Sequence, residues 1–465
     1  MATFEAKEAA AITHGVWMEW MPSEPLRTFA IDTRLMEAGQ VFVAIRTERR
    51  DGHAYLEEAR QRGALAAVVS EPCHEVGLPQ LVVEDPVRAL QSLARIWRQR
   101  FMGPVIGISG SFGKTTVREL LGRALGSLWC RTKGNFNNFI GVPLTLLELE
   151  PRYYAGGIIE AGINEAGEMA LLADLIDPDL ALITGVGPAH LEKLGTVAHV
   201  AKEKAMLPKA VRPGGRVVIP QALLAYPDFH DFGEDVALDL VAVEGRPVPL
   251  AVPCGARVVT FQWEETGGAA GMGRLYRVEE PSKEVTFCAG SEGMVMNLAL
   301  VVHTALELGV PLGSLQAALD GWRPFHRRGE IFRFGDRVYY VDCYNANPVS
   351  MMDSFQRFKK VFAESDQLYV FGGMEELGEN AAHWHRETMR QMPLPPGARA
   401  LLIGRWGEAM RDGLLEAGCD DGQVAVHAGA LDVRDEIQQF AGAVFLKGSR
   451  AYALERLLEE GAVRC

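Results

Sequence analysis

The chain has 465 residues, of which 48% are hydrophobic and 23% charged, and its formal net charge at pH 7 is −13. At roughly 150 residues per domain this length predicts about three domains, and the composition excludes long disordered segments. The negative charge gives no general attraction to nucleic acid or to an anionic membrane, so we expect neither as a partner.

The cysteines and the N-terminal residues give an expectation for the cellular compartment of the protein. Seven cysteines are scattered from Cys73 to Cys465 without a CxxC pair, which predicts reduced thiols rather than disulfides or a zinc site. The first twenty residues lack a basic start followed by an apolar stretch. The longest apolar stretch, from Met294 to Leu306, falls short of the ~20 residues that span a bilayer. We expect a cytoplasmic protein without a membrane span.

The N-terminal part has the pattern of a small α/β domain. Between Phe29 and Val83 the apolar runs VFVAI and LAAVVS alternate with the helix-like stretch HAYLEEARQRGA. A predicted helix, VRALQSLARIWRQRF, then ends at Gly103-Pro104, which is a stop signal. We predict a first domain over residues 1–102.

The middle part begins with a buried strand, VIGIS, followed by the loop SGSFGKTT and the helix VRELLGRAL. The same alternation returns at GGIIEAG, DLALITGVG and RVVIP, which predicts a parallel sheet with crossover helices. Between Asp228 and Glu284 helical periodicity is lost, and we expect an irregular or antiparallel excursion there. The predicted middle domain covers residues 103–322.

The C-terminal part resumes the α/β alternation. A predicted helix from Val295 to Leu308 precedes GWRPFHRRGE, and the strands VYYVDCYNA, LYVFGG, ALLIG and AVFLKGS follow. We predict a third domain over residues 323–465. The fold class is therefore α/β in three domains, with a central parallel-sheet, P-loop-type ATP-binding domain and a Rossmann-like C-terminal domain.

The loop from Ser109 to Thr116 carries the clearest chemical signal. Gly110 and Gly113 let backbone N–H groups converge on a phosphate, and the following helix N-terminus adds a favourable partial charge. Lys114 can meet the terminal phosphates, and the Thr115 hydroxyl can bind the magnesium that bridges them. The spacing GxxGKTT is shorter than a strict Walker loop, but its place between strand and helix predicts Mg-ATP binding rather than an ordinary glycine turn.

Two further residues follow predicted strands at the edge where α/β sheets gather ligands. Glu160 ends the run GGII, and His190 lies in GVGPAHLE after DLALIT. A solvated strand-end glutamate is an equally good interpretation of Glu160 alone. A lone histidine such as His190 is more often structural than functional. The amide-rich stretch TKGNFNNF suits a loop around polar ligand groups, whereas DCYNANP and KGSR can equally be a capped turn and a solvated strand end.

The order of these segments is more specific than any one of them. DTR at Asp32, DGH at Asp51, GSFGKTT, KGNFNNFIGVPLTLL, EAG, VGPAHLE, AKEKA, DCYNANP, MEELGE and FLKGSR together resemble the Mur ligases over nearly the whole chain. YNANP and the ELGE segment are most similar to those members that add D-alanyl-D-alanine to a UDP-linked muramoyl tripeptide.

The resemblance implies that the three domains bind, in order, the UDP-sugar end of the precursor, ATP, and the incoming dipeptide. It implies phosphorylation of the precursor's terminal carboxylate by ATP and attack of the D-alanyl-D-alanine amine on the acyl phosphate, with ADP and phosphate as products. The implied partners are these two substrates, and we expect a monomer.

The resemblance also implies roles for individual residues. The nucleotide would be bound by Gly110, Ser111, Gly113, Lys114, Thr115, Thr116, Asn297, Arg328, Asp342 and Asn345. The substrates would be bound by Asp32, Arg34, Asn137, Asn138, Asn347, Lys447 and Arg450. The catalytic groups would be Lys114, Lys204, His190 and Glu160, with Thr115, Glu160 and His190 holding magnesium.

A carbamylated lysine is also implied, as an anionic oxygen ligand of a second magnesium ion. Lys204 in AKEKA is at the matching position, and Lys202 is the alternative because a shift of two residues exchanges them.

Four positions depart from the pattern of the family. Gly185 stands where the family has Asn, Gly293 and Met294 where it has a His-Asn pair, and Gly373 where it has Asp. Two alternatives therefore stay open: another amide ligase of the same type, similar to folylpolyglutamate synthases or cyanophycin-type enzymes, or a nucleotide-binding paralogue that has lost catalysis and acts as a scaffold. The sequence also leaves open the third residue of the peptide substrate.

Overall fold

A computed structural model describes residues 2–48, 50–249, 251–266 and 271–465. Within these residues the strands form a five-stranded, a nine-stranded and a seven-stranded sheet, each built from its own continuous stretch of the chain. The predicted three-part α/β fold is confirmed, and the exact domain boundaries stay a prediction. Among the described residues, no helix combines the length and apolar character needed to cross a membrane.

The first sheet has the order β1-β5-β4-β3-β2 and is parallel except for β1 at its edge. The Asp85 carboxylate begins α3 by accepting hydrogen bonds from the N–H groups of Val87 and Arg88, and a proline occupies the first turn. The elements are α1 (Ala6–Thr13), β1 (Val16–Met18), β2 (Phe29–Ala30), β3 (Val41–Val43), α2 (Leu56–Gln61), β4 (Ala66–Val69), β5 (Gln80–Val82) and α3 (Pro86–Arg100).

The second sheet has the order β14-β13-β12-β11-β10-β9-β6-β8-β7. Its first elements are β6 (Val105–Ser109), α4 (Lys114–Leu125), β7 (Trp129–Arg131), α5 (Gly141–Leu147), β8 (Gly156–Glu160), α6 (Glu168–Ile176), β9 (Leu180–Ile183), α7 (Leu191–Leu194), α8 (Val197–Lys209) and β10 (Arg216–Pro220). Then follow β11 (Ala237–Val243), β12 (Arg257–Glu265), β13 (Met272–Arg277), β14 (Glu280–Cys288), α9 (Glu292–Glu307) and α10 (Leu312–Asp320).

The expected irregular or antiparallel excursion after Asp228 is only partly correct. β11 and β12 extend the parallel sheet beyond β10, and only β12, β13 and β14 pair antiparallel. β11 is buried over six of its seven positions, so its apolar run belongs to the core rather than to an excursion.

The third sheet has the order β19-β18-β17-β20-β16-β15-β21, in which β15 and β21 form an antiparallel edge beside five parallel strands. Its elements are β15 (Glu330–Phe334), β16 (Arg337–Asp342), α11 (Pro348–Val361), β17 (Gln367–Gly372), α12 (Ala381–Arg390), β18 (Arg399–Ile403), α13 (Gly407–Glu416), β19 (Val424–His427), α14 (Arg434–Gln439), β20 (Ala443–Lys447) and β21 (Val463–Arg464).

The order of the central strands positions the site. β6 lies between β8 and β9, all three are parallel, and every one of their residues is buried. Their carboxyl ends therefore meet at one edge of the sheet, where α/β proteins bind ligands. This edge brings the loop after β6, Glu160 at the end of β8 and the segment after β9 together.

Candidate active site

A cavity of about 1110 Å³ lies at this edge, between the second and third sheets. Fifteen of the predicted site residues line it: Ser111, Gly113, Lys114, Thr115, Thr116, Asn137, Asn138, Glu160, His190, Asn297, Arg328, Asp342, Asn345, Asn347 and Lys447. The structure thus brings residues from two sheets and from widely separated parts of the chain around one space.

The phosphate loop joins β6 to the N-terminus of α4 and packs tightly on its neighbours. A Cβ placed on Gly110 would lie 2.0 Å from the Thr184 hydroxyl, and one on Gly113 would lie 2.5 Å from the Asn297 side-chain oxygen. Both glycines have a positive φ, 148° and 78°, which a side chain would strain. Lys114 Nζ donates to the Gly110 carbonyl at 2.7 Å. Burial lowers the pKa of Lys114.

Glu160 is at the centre of a buried hydrogen-bond cluster. Its Oε1 accepts from the Thr115 hydroxyl at 3.3 Å and from the Asn137 amide at 2.8 Å. Its Oε2 accepts from the Arg118 guanidinium at 2.9 Å. The hydroxyl and carboxylate expected to hold magnesium are therefore in direct contact, and both are hard oxygen ligands of the kind this ion prefers.

Arg118 is a member of this cluster that sequence reasoning missed. Its side chain is 1% exposed and also binds Glu119. Arg118 lies four residues after Lys114, so the two share a face of α4. That spacing is the sequence signal that could have indicated it.

His190 begins the short helix α7 with a left-handed backbone conformation, φ 55°. Its Nδ1 lies 2.5 Å from Oε2 of Glu376, which belongs to the loop after β17 in the third sheet. The contact with His190 lowers the pKa of Glu376. Glu376 is a second residue whose part in the site the sequence did not reveal, although the motif MEELGE contains it.

The structure separates the two candidate lysines of α8. Lys204 is 1% exposed, whereas Lys202 is exposed on the opposite side of the helix. Burial and, to a lesser extent, the charge of Lys114 lower the pKa of Lys204 well below its ordinary value. Burial therefore makes the neutral amine more accessible at Lys204 than at an exposed lysine.

The third sheet contributes the opposite wall of the cavity. Asn347 donates from Nδ2 to the backbone carbonyl of Ser111 in the phosphate loop at 3.2 Å. Lys447 donates to the Asp342 carboxylate at 2.9 Å and to the Asn345 carbonyl at 3.1 Å. The Lys447 ammonium is thus already paired within this wall, close to the residues expected to close over the nucleotide.

The remaining predicted residues lie farther from this cluster. The Arg328 guanidinium stacks over the Tyr344 ring at 4.2 Å, and Arg450, which is exposed, approaches the same ring at 6.0 Å. Asp32 and Arg34 bind each other through two hydrogen bonds of 2.9 and 2.6 Å on the first sheet's domain. The predicted residues that do not line the cavity are Asp32, Arg34, Gly110, Lys204 and Arg450.

Neighbouring side chains occupy the space at two of the unusual glycines. A Cβ on Gly185 would lie 2.4 Å from the Phe112 ring, and one on Gly373 would lie 2.4 Å from the Tyr452 hydroxyl. Any larger residue at either position would displace an aromatic ring. In this chain, Phe112 and Tyr452 therefore occupy the space that a side chain at these two positions would need.

Gly293 accommodates a contact between the two walls. Its N–H donates to Oδ1 of Asp353 at 2.8 Å, and the Ser291 hydroxyl donates to Oδ2 at 2.9 Å, so a carboxylate from α11 caps α9. A Cβ on Gly293 would lie 2.7 Å from Asp353 Oδ1. Burial raises the pKa of Asp353, an effect that the contacts with Gly293 and Ser291 oppose.

The metal ligands implied by the resemblance include only two side chains of the His, Cys, Asp and Glu types, Glu160 and His190. Across the described residues 2–48, 50–249, 251–266 and 271–465, no group of three or more His, Cys, Asp and Glu is arranged to hold a metal ion. The expected set instead combines the Thr115 hydroxyl, the Glu160 carboxylate, His190 and a modified lysine. The contact between Thr115 and Glu160 fits that set.

Comparison with known proteins gives matches to three family models. The Mur ligase middle domain matches residues 108–233, the Mur ligase glutamate ligase domain matches residues 327–450, and the catalytic domain of the Mur ligase family matches residues 27–98. The three matches lie in the stretches that form the second, third and first sheets.

Curated relatives and solved structures agree with these matches. The UDP-N-acetylmuramoyl-tripeptide–D-alanyl-D-alanine ligase of Treponema pallidum is 30% identical over 92% of both chains, and that of Synechocystis sp. is 30% identical over 90% of this chain and 85% of its own. MurF from Acinetobacter baumannii superposes with a TM-score of 0.83 at 23% identity, covering 98% of both chains. The MurF ligase from Thermotoga maritima, solved in complex with ADP, superposes with a TM-score of 0.73 at 22% sequence identity. The match covers 93% of this chain and 96% of that protein's chain. The resemblance in the motifs is confirmed along the whole molecule, and the chain belongs to the Mur ligase family.

Proposed function

We propose that this protein is an ATP-dependent ligase that joins D-alanyl-D-alanine to UDP-N-acetylmuramoyl-tripeptide in peptidoglycan precursor synthesis. One observation carries the proposal: the phosphate loop and Glu160 of the middle domain and the YNANP segment of the third domain line one cavity. The relatives at 30% identity that bear this activity in their names support the choice of substrates.

The proposed reaction has two steps. The terminal carboxylate of the tripeptide attacks the γ-phosphorus of ATP, which breaks the bond to ADP and forms an acyl phosphate. The amine of D-alanyl-D-alanine then attacks the acyl carbon, forms the amide and releases phosphate and a proton. Because two anions must meet in the first step, the site must present positive charge where the phosphoryl group moves. Lys114 is the residue proposed to supply it.

Thr115, Glu160 and His190 are the residues we propose to hold magnesium, and Lys204 as a carbamate would hold a second ion. Bound magnesium would neutralise charge on the phosphates. Carbamylation requires a neutral amine, and the lowered pKa of Lys204 supports this assignment over the exposed Lys202. Asn137 and Arg118 would keep the Glu160 carboxylate in place through the hydrogen bonds they make to it.

We also propose that the chain divides at residues 102 and 322. The first domain would bind the UDP end of the precursor, with Asp32 and Arg34 contributing. In the third domain Asn347 would help to close the site, while Lys447 and Arg450 would lie towards the substrate carboxylates. We propose that the enzyme is a monomer.

The test is an assay of the purified protein with Mg-ATP, UDP-N-acetylmuramoyl-tripeptide and D-alanyl-D-alanine, omitting each in turn. We expect phosphate release only when all three are present, together with a UDP-linked pentapeptide product detected by mass spectrometry. Phosphate release without that product would contradict the proposed substrates. ATP binding without any turnover would instead support a scaffold that has lost catalysis.

A further inference from the structure

The loop after β17, residues 374–378 of the motif MEELGE, makes contacts that the proposed reaction leaves unexplained. It belongs to the third domain, yet its Glu376 reaches the middle domain, where Oε2 lies 2.5 Å from Nδ1 of His190. The Glu376 backbone carbonyl also accepts from the N–H of Glu192 at 3.1 Å. Side chain and backbone of one residue thus contact the turn that holds His190.

The loop is fixed to its own domain at the two residues that precede this contact. The Met374 N–H donates to Nε2 of the buried His385 at 2.8 Å, and the Glu375 N–H donates to the Ser449 hydroxyl at 2.9 Å. The position of Glu376 therefore follows the position of the third domain.

The two loops also fit closely in shape. Gly378 has φ 69°, and a Cβ placed there would lie 3.2 Å from the Cα and N atoms of Glu192. A residue with a side chain would press on the turn that begins α7 and would be strained in this backbone conformation. The loop thus contacts the segment around His190 through its backbone at Gly378 as well as through the Glu376 carboxylate.

We propose that Glu376 is a positioning residue for His190, supplied by the third domain; this inference rests on the proposed function. A histidine that binds a metal ion through one ring nitrogen is commonly oriented by a carboxylate at the other. A carboxylate that accepts a hydrogen bond from Nδ1 would favour the proton on that nitrogen and leave the Nε2 lone pair to act as the ligand. Docking of the third domain would then set the ring for the metal site.

The first measurement is the protonation of the His190 ring in the full-length protein without nucleotide. Nitrogen-15 NMR of histidine-labelled protein, with the His190 signals assigned from the H190N variant, reports which ring nitrogen carries the proton. We expect the Nδ1-protonated form in the wild type and a shift towards the Nε2-protonated form in E376A. The E376Q variant retains an oxygen that can accept and should lie between them.

The second measurement is the magnesium requirement of turnover. We expect E376A to raise the magnesium concentration for half-maximal rate by about tenfold, the scale of losses seen when such an orienting partner is removed. The KM for D-alanyl-D-alanine should stay unchanged. The double variant H190N/E376A should be no worse than H190N, because Glu376 acts through His190.

The matched control is E379Q, which removes a charge from the exposed Glu379 in the same motif and should behave as wild type in both measurements. Unchanged His190 signals in E376A, or fully additive effects of H190N and E376A, would overturn the proposal. The NMR result does not depend on turnover. If the wild type fails to form the UDP-linked product, the proposed function fails, while the inference about His190 is still decided.

Discussion

The two walls of the cavity are built in different ways. On the middle-domain wall, Thr115 in the first turn of α4 and Glu160 at the end of β8 touch within one domain, because α4 follows β6 and β6 lies beside β8. On the third-domain wall, Asn347, Asp353 and Glu376 each reach the other domain through one or two polar contacts.

This difference predicts that the middle-domain wall carries the catalytic groups and that the third-domain wall controls ligand binding and domain docking. A wall held inside one domain is preorganised, whereas a wall that depends on docking can open and close around substrates. Damage to the middle-domain wall should therefore remove the chemistry. Damage to the third-domain wall should weaken ligand binding or docking and leave the chemical groups in place.

The largest effect is expected for K114M, on the middle-domain wall. Loss of one preorganised group that stabilises developing charge costs up to about 1,000-fold in kcat, and we expect a loss near that size. ATP binding should persist because the loop backbone remains. Steady-state kinetics and calorimetry with ATP check both statements.

The control for this variant is R123Q on the same helix, since Arg123 is exposed and donates to the Ala318 carbonyl. It should retain wild-type turnover. A K114M enzyme with kcat within tenfold of wild type would show that this wall is not the source of the catalytic charge.

The third-domain wall should be the more sensitive to acid, because of His385. Burial lowers the pKa of His385 to about 4, and its neutral Nε2 accepts from the Met374 N–H. Between the ordinary pKa of 6.5 and about 4, the unfolded chain binds more protons than the folded one. The free energy of unfolding should therefore fall as pH falls through this window, by about 3 kcal/mol in all.

Urea unfolding of wild type and H385Q between pH 7 and 4 measures this dependence. A glutamine at position 385 does not titrate in this pH range. The difference in the free energy of unfolding between wild type and H385Q should therefore change with pH as His385 gains a proton. Parallel curves for the two proteins would mean that His385 does not account for the acid sensitivity of the wall.

Lys204 and Lys202 provide a matched pair on one helix of the middle domain. We expect K204A to lose at least about 100-fold in kcat, since a ligand to a catalytic metal is worth several kcal/mol, whereas K202A should be close to wild type. Carbon-13 NMR with labelled bicarbonate should give a carbamate signal in wild type and K202A but not in K204A. The reverse pattern would assign the carbamate to Lys202.

The smallest effect is expected at Asn347, where the walls meet. Its Nδ2 binds the Ser111 carbonyl, while its Oδ1 accepts from the Ser350 N–H and caps α11. N347D keeps the cap and loses the donor, and N347A loses both. We expect ATP affinity to fall about tenfold in both variants, as for one lost hydrogen bond.

Thermal unfolding separates the two roles, because only N347A should lose the capping contribution of about 1 kcal/mol. Wild-type ATP affinity in N347D would show that the contact with Ser111 does not hold the walls together.

Much of the middle-domain wall could be predicted from the sequence. The phosphate loop lies within eight consecutive residues, and the apolar runs before Ser109 and Glu160 identify buried parallel strands whose ends must meet. Periodicity could also have settled the choice of lysine. Val200, Ala201 and Ala205 are buried on the face of α8 that carries Lys204, and Lys202 lies opposite.

The arrangement of the chain around this loop could not be predicted from the sequence. Arg118 beneath Glu160, Glu376 at His190, and Asp353 at Gly293 join residues 42, 186 and 60 positions apart. Burial and pairing at such distances depend on domain docking and side-chain packing, which no local pattern encodes. The three α/β units and the phosphate loop can be predicted from the sequence alone, because they follow from short-range periodicity and backbone chemistry. The structure determined which charged groups are buried together there, because burial is a property of the assembled fold.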